Sequence, residues 1–163
     1  MAKVYVSIGS NIDRDANIRG GVADLQKWFG ELALSRVYES EAVGFDGDNF
    51  FNLVAAFDTD EDVLTVAKIL REIENDHGRT REGPRFSSRT LDIDLLLFDD
   101  LVMQQGKLEL PREEITKNAF VLWPLAEIAP QLKHPVLHKN YAELWAAFDK
   151  NKQPLWPVEF EFC

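Results

Sequence analysis

The stretch from Gly78 to Asp100, GRTREGPRFSSRTLDIDLLLFDD, restricts the fold more than any other part of the chain. Its second half, Thr90 to Phe98, is an apolar run interrupted only by Asp92 and Asp94. Such a run, closed by the Asp99-Asp100 turn signal, reads as a strand of a covered sheet. Side chains two apart on a strand share a face. Leu91, Ile93, Leu95 and Leu97 are therefore expected on one side, and Asp92, Asp94, Leu96 and Phe98 on the other. Carboxylates on so apolar a strand are costly unless a metal, arginines or solvent compensate them. Two strand steps separate the two Cα atoms by roughly 7 Å. At that spacing the pair can hold one divalent ion or bridge two, the usual clamp for phosphoryl transfer.

The first half of the stretch is basic. Arg79, Arg81, Arg85 and Arg89 stand there against one acid, Glu82, in a chain that carries nine arginines and a net charge of −10. Guanidinium forks fit phosphate oxygens, and a basic island in an acidic chain points to an anion. The two halves together predict a metal-assisted reaction on a polyphosphate beneath a mobile arginine lid. A purely structural Arg–Asp network is the competing reading. The acidity argues against a nucleic-acid partner and against anionic membranes. No stretch approaches the ~20 apolar residues of a membrane span. The one cysteine, Cys163, permits no intramolecular disulfide, as expected for a reducing cytoplasm. At 163 residues the chain suits a single catalytic domain and, by default, a monomer. Residues 149–163 read as a loosely ordered tail whose Trp156, Phe160 and Phe162 can tuck onto the body.

Around this centre the elements follow from periodicity. Lys3 to Ile8 alternates as a strand and ends in the turn Gly9-Ser10-Asn11. Asp15 to Phe29 has helical spacing, weakened by Gly20 and Gly21, with Gly30 as C-cap. Leu32 to Tyr38 is extended, and Glu39 to Asn49 is a loop. Phe50 to Asp58 places Phe51, Leu53, Ala55 and Phe57 on one face and Phe50, Asn52 and Val54 on the other. Thr59 to Asp62 resembles a capping box before a helix with the stripe Val63, Val66, Ala67, Leu70 and Ile73. Glu74 falls in the last turn of that helix, either solvated or facing the arginines. Phe120 to Trp123 reads as a further strand, Leu125 to Ile128 as a short helix, and Asn140 caps a last helix. The order strand, helix, strand, strand, helix, strand predicts an α+β, ferredoxin-like βαββαβ fold. Its antiparallel sheet carries helices on one face, with an additional C-terminal strand and helix.

Six segments carry a resemblance to a known family. They are SIGSN at 7–11, VYES…VG…FFN at 37–52, IENDHGRTR at 73–81, SRTLDIDLLLF at 88–98, LELP at 108–111 and FVLWPLAEIAP at 120–130. Through them the chain resembles the 6-hydroxymethyl-7,8-dihydropterin pyrophosphokinases of folate biosynthesis. The resemblance implies transfer of a diphosphoryl group from ATP to the pterin hydroxymethyl oxygen, with release of AMP. It implies two Mg2+ on Asp92 and Asp94, and Arg79 and Arg89 as catalytic phosphate-gripping residues. ATP contacts fall to Glu74, Arg81, Arg89 and Arg112. Phe50 and Phe120 match the rings that sandwich the pterin, Asn52 the residue that bonds its amide edge, and Ser40 and Val43 the loop with backbone contacts. The chain departs from the family pattern at Phe86-Ser87-Ser88, at Arg112 and Glu113, at Asn118 and at Glu41-Ala42. A weakly active pterin- or nucleotide-binding paralogue, and a metal-dependent phosphotransferase with another acceptor, are the alternatives.

Overall fold

A computed structural model describes residues 1–41, 48–78 and 90–162. Strand β1 (Ala2–Ser10) is followed by helix α1 (Arg14–Phe29). Next come the two-residue β2 (Ala33–Leu34), then β3 (Val37–Ser40) and β4 (Phe50–Thr59). Helix α2 (Val63–Asp76) leads to β5 (Asp92–Phe98). The hairpin β6 (Met103–Gln105) and β7 (Leu108–Leu110) forms a separate two-stranded sheet. A single 3-10 turn (Glu113–Thr116) precedes α3 (Ala119–Ile128), α4 (Tyr141–Ala147) and β8 (Leu155–Val158).

The main sheet has the order β5-β1-β4-β3-β8, and its named pairings are antiparallel. Without β8 this is the ferredoxin-like arrangement that the element order predicts. Alternation along the strands gives the sheet two apolar faces. Val4, Val6, Ile8, Phe51, Leu53, Ala55, Phe57, Ile93 and Leu95 meet the apolar stripes of α1 and α2. Val54, Leu96 and Leu97 meet α3 and Tyr141 on the opposite face. The C-terminal elements thus cover the face that the βαββαβ core leaves open, and the functional side chains lie on that second face.

The two glycines inside α1 have a packing reason. A Cβ on Gly21 would lie 3.0 Å from a Leu91 methyl, and one on Gly20 would lie 2.4 Å from the His77 ring. Their absent side chains let α1 approach β5 and the end of α2, where His77 Nε2 pairs with Asp24 at 2.9 Å.

Four local expectations are corrected. First, β5 carries a bulge: Val6 pairs Leu95 but Tyr5 pairs Leu97, so Leu96 is the extra residue. Leu97 therefore joins Leu96 on the α3 face, and Phe98 returns to the α1/α2 face. Second, Phe120 to Trp123 is helical. A short apolar run buried on most sides carries no period that separates strand from helix. Third, α2 starts later than the capping-box reading: Asp62, not Thr59, is the N-cap and accepts from Thr65 N at 2.8 Å. Fourth, the tail is organised. Residues Leu155–Val158 pair with β3, which covers an otherwise open edge. Beyond them Phe160 packs edge-on against Phe51 at 5.7 Å, and Arg19 Nε donates to Glu161 O at 2.7 Å.

Candidate active site

One row of residues across the sheet organises the site. Tyr38 of β3 pairs Asn52 of β4, Asn52 pairs Gly9 of β1, and Gly9 pairs Asp92 of β5. Residues in register on neighbouring strands point to the same face, so all four look toward α3. Gly9 lies between the amide and the carboxylate. A Cβ there would stand 3.0 Å from Asn52 Oδ1 and 3.9 Å from the Phe50 ring. The missing side chain leaves an open floor between Asn52 and Asp92. As a sequence feature Gly9 read only as a turn; its position inside a strand, flanked by strand formers, was the available signal.

The Asn52 end is hydrogen-bonded within the chain. Asn52 is buried, and its Nδ2 donates to the buried Ser40 Oγ at 2.7 Å. Ser40 and Phe120 line a common cavity of about 260 Å³. Ser40 thus links Asn52, through its hydrogen bond, and Phe50, its partner in register, to the cavity that Phe120 lines. Helix α3 is fixed above them by Glu127, which accepts from the Tyr38 hydroxyl at 2.5 Å and from Arg36 Nε at 3.2 Å. The Trp123 ring lies 4.7 Å from that of Tyr38.

The Asp92 end is charged. Asp92 and Asp94 share a face, as predicted, opposite Ile93 and Leu95. The bulged Leu96 carbonyl accepts from Arg112 N at 3.0 Å, which delivers Arg112 to this end. Its Nη2 lies 3.5 Å from Asp94 Oδ1, and its Nε and Nη2 grip Glu114 at 2.9 and 3.2 Å. Burial and the neighbouring Asp92 push the Asp94 carboxyl well above the usual carboxylate range, against the pull of Arg112; Glu114 and Glu74 add to the rise. Burial lowers the Arg112 guanidinium, but Asp94 and Glu114 carry it above its ordinary value. Glu113 instead turns to Lys117 on the exposed surface.

Glu74 is buried rather than solvated, and its Oε2 accepts from Ile93 N at 2.8 Å. It ties the end of α2 to β5 between the two aspartates. Ser10 and Asn11 are a feature the sequence reading passed over as a turn. Ser10 Oγ donates to Thr90 O at 2.5 Å, and Asn11 Nδ2 donates to Asp48 O at 3.0 Å. They hold Thr90 and Asp48, the first described residues after 79–89 and 42–47. Val43 and the arginines at 79, 81 and 89 lie outside the described residues. A larger cavity of about 970 Å³ is lined, among the described residues, by none of the predicted site residues; Arg14, Glu39, Asn49 and Phe51 are among its walls.

Only oxygen ligands converge at the charged end. Among the described residues no cluster of three or more His, Cys, Asp or Glu side chains is placed to hold a metal. Mg2+ does not need one: it is commonly held by one or two carboxylates together with substrate phosphates. The repulsion between Asp92 and Asp94, countered among the described residues by Arg112, fits a cation arriving with a polyphosphate.

The sequence profile of the 7,8-dihydro-6-hydroxymethylpterin-pyrophosphokinases matches residues 5–130. The chain belongs to this family. It is 34% identical over 145 residues to the 2-amino-4-hydroxy-6-hydroxymethyldihydropteridine pyrophosphokinase of Aquifex aeolicus, covering 88% of this chain and 90% of that one. It is 35% identical over 140 residues to the folic acid synthesis protein FOL1 of Dictyostelium discoideum, covering 83% of this chain. Of that longer protein the chain spans 21%. The fold superposes on a crystal structure of a Plasmodium falciparum HPPK-DHPS triple mutant with a TM-score of 0.73 at 15% identity. The match covers 89% of this chain and 41% of the Plasmodium chain.

Proposed function

We propose that the chain is a Mg2+-dependent pyrophosphokinase acting in folate biosynthesis. It moves the β,γ-diphosphoryl group of ATP to the hydroxymethyl oxygen of 6-hydroxymethyl-7,8-dihydropterin. The acceptor O–H loses its proton, a bond forms from that oxygen to the β-phosphorus, and the bond from the β-phosphorus to the α,β-bridging oxygen breaks. AMP leaves with that oxygen. The observation that carries this reading is the in-register row Asn52–Gly9–Asp92, which sets Asn52, hydrogen-bonded to Ser40, two strands from the strand that carries Asp92 and Asp94.

Each end has its own task. Phe50 and Phe120 offer ring faces to the acceptor, and Ser40 and Asn52 offer hydrogen bonds to its edge. Asp92 and Asp94 would hold the metal. Mg2+, when bound, neutralises phosphate oxygens and lowers the pKa of an oxygen it contacts. Arg112 supplies a permanent positive charge beside these carboxylates, within reach of a phosphate tail. Arg79, Arg81 and Arg89 are proposed to complete the grip, since such transfers depend on alignment and charge stabilisation. Of the two departures that favour a weakly active paralogue, Arg112 and Glu113, the latter pairs with Lys117 on the exposed surface, which supports the enzyme reading. We place the activity in a single catalytic unit, monomeric and cytoplasmic. ATP, Mg2+ and hydroxymethyldihydropterin should together give AMP in step with acceptor consumption. Release of ADP, or no nucleotide turnover with a pterin that binds, overturns the reading.

A further inference from the structure

The matched family region ends at residue 130, yet one wall of the acceptor slot comes from beyond it. The cavity of about 260 Å³ is lined by Ser40, Glu41 and Phe120 together with Lys152, Gln153, Pro154 and Leu155. Two contacts hold this segment in place. Leu155 is in register with Ser40 where β8 pairs with β3. Two residues earlier, Gln153 reaches the start of α3.

That start lacks a cap of its own. Asn118 is the N-cap residue of α3 but makes no side-chain capping bond. Gln153 supplies one from the tail: its Oε1 accepts from Ala119 N at 2.8 Å. Its Nε2 donates to Lys117 O at 3.1 Å and to Asn118 Oδ1 at 3.3 Å. A helix end left without such a partner strands backbone donors. The residue next to the capped amide is Phe120, so the side chain that fixes the first turn of α3 also fixes where that ring stands.

We propose that the C-terminal segment Gln153–Leu155 is a wall of the acceptor slot, and that Gln153 is a positioning residue for Phe120. The proposal rests on the pyrophosphokinase reading above. It predicts selectivity: Gln153 lines the cavity with Ser40 and Phe120, and its hydrogen bonds go to Lys117, Asn118 and Ala119 at the start of α3. Its loss should therefore weaken acceptor binding and spare the nucleotide.

The test uses the full chain with Gln153→Ala. 6-Hydroxymethylpterin is titrated without nucleotide, and a non-hydrolysable ATP analogue is titrated with Mg2+. Loss of a cap should weaken the pterin by about fivefold. In turnover the KM for the pterin should rise by a similar factor with kcat near wild type, and analogue affinity should stay at its wild-type value. Gln153→Glu keeps the acceptor for Ala119 N and should recover most of the loss. Should Gln153→Ala not fold, Leu155→Ala trims the same wall without touching the cap, and the same selective weakening is expected. Unchanged pterin affinity overturns the proposal, as does an equal fall in both affinities. A wild-type chain that binds the analogue but no pterin overturns the pyrophosphokinase reading, and this proposal with it. A wild type that binds both, with a variant that matches it, overturns this proposal alone.

Discussion

The two ends of the Tyr38–Asn52–Gly9–Asp92 row are built on opposite principles. At the Asn52 end the polar groups already have partners: Asn52 bonds Ser40, Tyr38 bonds Glu127, and Gln153 caps the helix that carries Phe120. At the Asp92 end two carboxylates repel each other in a poorly hydrated place, and Arg112 is shared between Asp94 and Glu114. The first end gains stability by being complete. At the second, desolvation and Asp92 raise the Asp94 carboxyl against the pull of Arg112, and the proposed cation and polyphosphate would bind there. A partly desolvated carboxylate beside a like charge marks a candidate functional group. This contrast fixes which substitutions should damage activity and which should damage the fold.

Asp94→Ala separates the two ends most sharply. It removes half of the proposed cation site, and AMP release should fall on the order of a thousandfold, comparable to deleting a donor from an oxyanion hole. The same change deletes a desolvated carboxylate that its neighbours disfavour. The melting temperature of the ligand-free protein should therefore hold or rise. A large fall in melting temperature would mean that Asp94 belongs to a structural ion-pair network instead.

Asn52→Ala should give the converse result. It leaves the Ser40 hydroxyl without its buried partner, a change that costs about 1–3 kcal/mol. The cost should show as a lower denaturation midpoint and weaker pterin binding, while the affinity for an ATP analogue with Mg2+ stays unchanged. Loss of nucleotide affinity in this variant would break the division between the ends.

How much of this was legible in the sequence differs between the ends for physical reasons. Period-two alternation over Lys3 to Ile8 and Phe50 to Asp58 is strong, so the strands, the βαββαβ order and the shared face of Phe50 and Asn52 followed directly. Asp92 and Asp94 lie before the bulge and were placed correctly; Leu97 and Phe98 lie after it and were not. No glycine or proline marks Leu96 as a bulge, because its cause is the pairing with β1 and the amide of Arg112. Helix α3 was misread over its first turn because a run apolar on most sides has no period to read. Its cap, Gln153, lies more than thirty positions away, and only the folded chain brings it near. The orientation of Arg112 and Glu113 was equally out of reach, since adjacent residues on a 3-10 turn diverge according to their partners and not their order.

The smallest expected effect is a pH dependence, and its sign tests the comparison independently of turnover. The Asp94 carboxyl is raised well above its ordinary value of 3.8 by burial and by Asp92. Between 3.8 and the raised value, the folded chain holds a proton that the unfolded chain has released. Stability contributed by that proton is fully present below the ordinary value and is lost as pH rises through the window. One such group gives a slope of at most about 1.4 kcal/mol per pH unit. Denaturation midpoints of the ligand-free protein, followed upward in pH from the ordinary carboxylate value of 3.8, should fall along that slope. Asp94→Asn should flatten it. Mg2+ with an ATP analogue should reverse it, because cation binding favours the ionised carboxylate and strengthens as the proton leaves. Asn52→Ala should shift the whole curve downward without changing its slope. A slope that survives in Asp94→Asn would assign the proton to another group and remove the electrostatic contrast between the two ends.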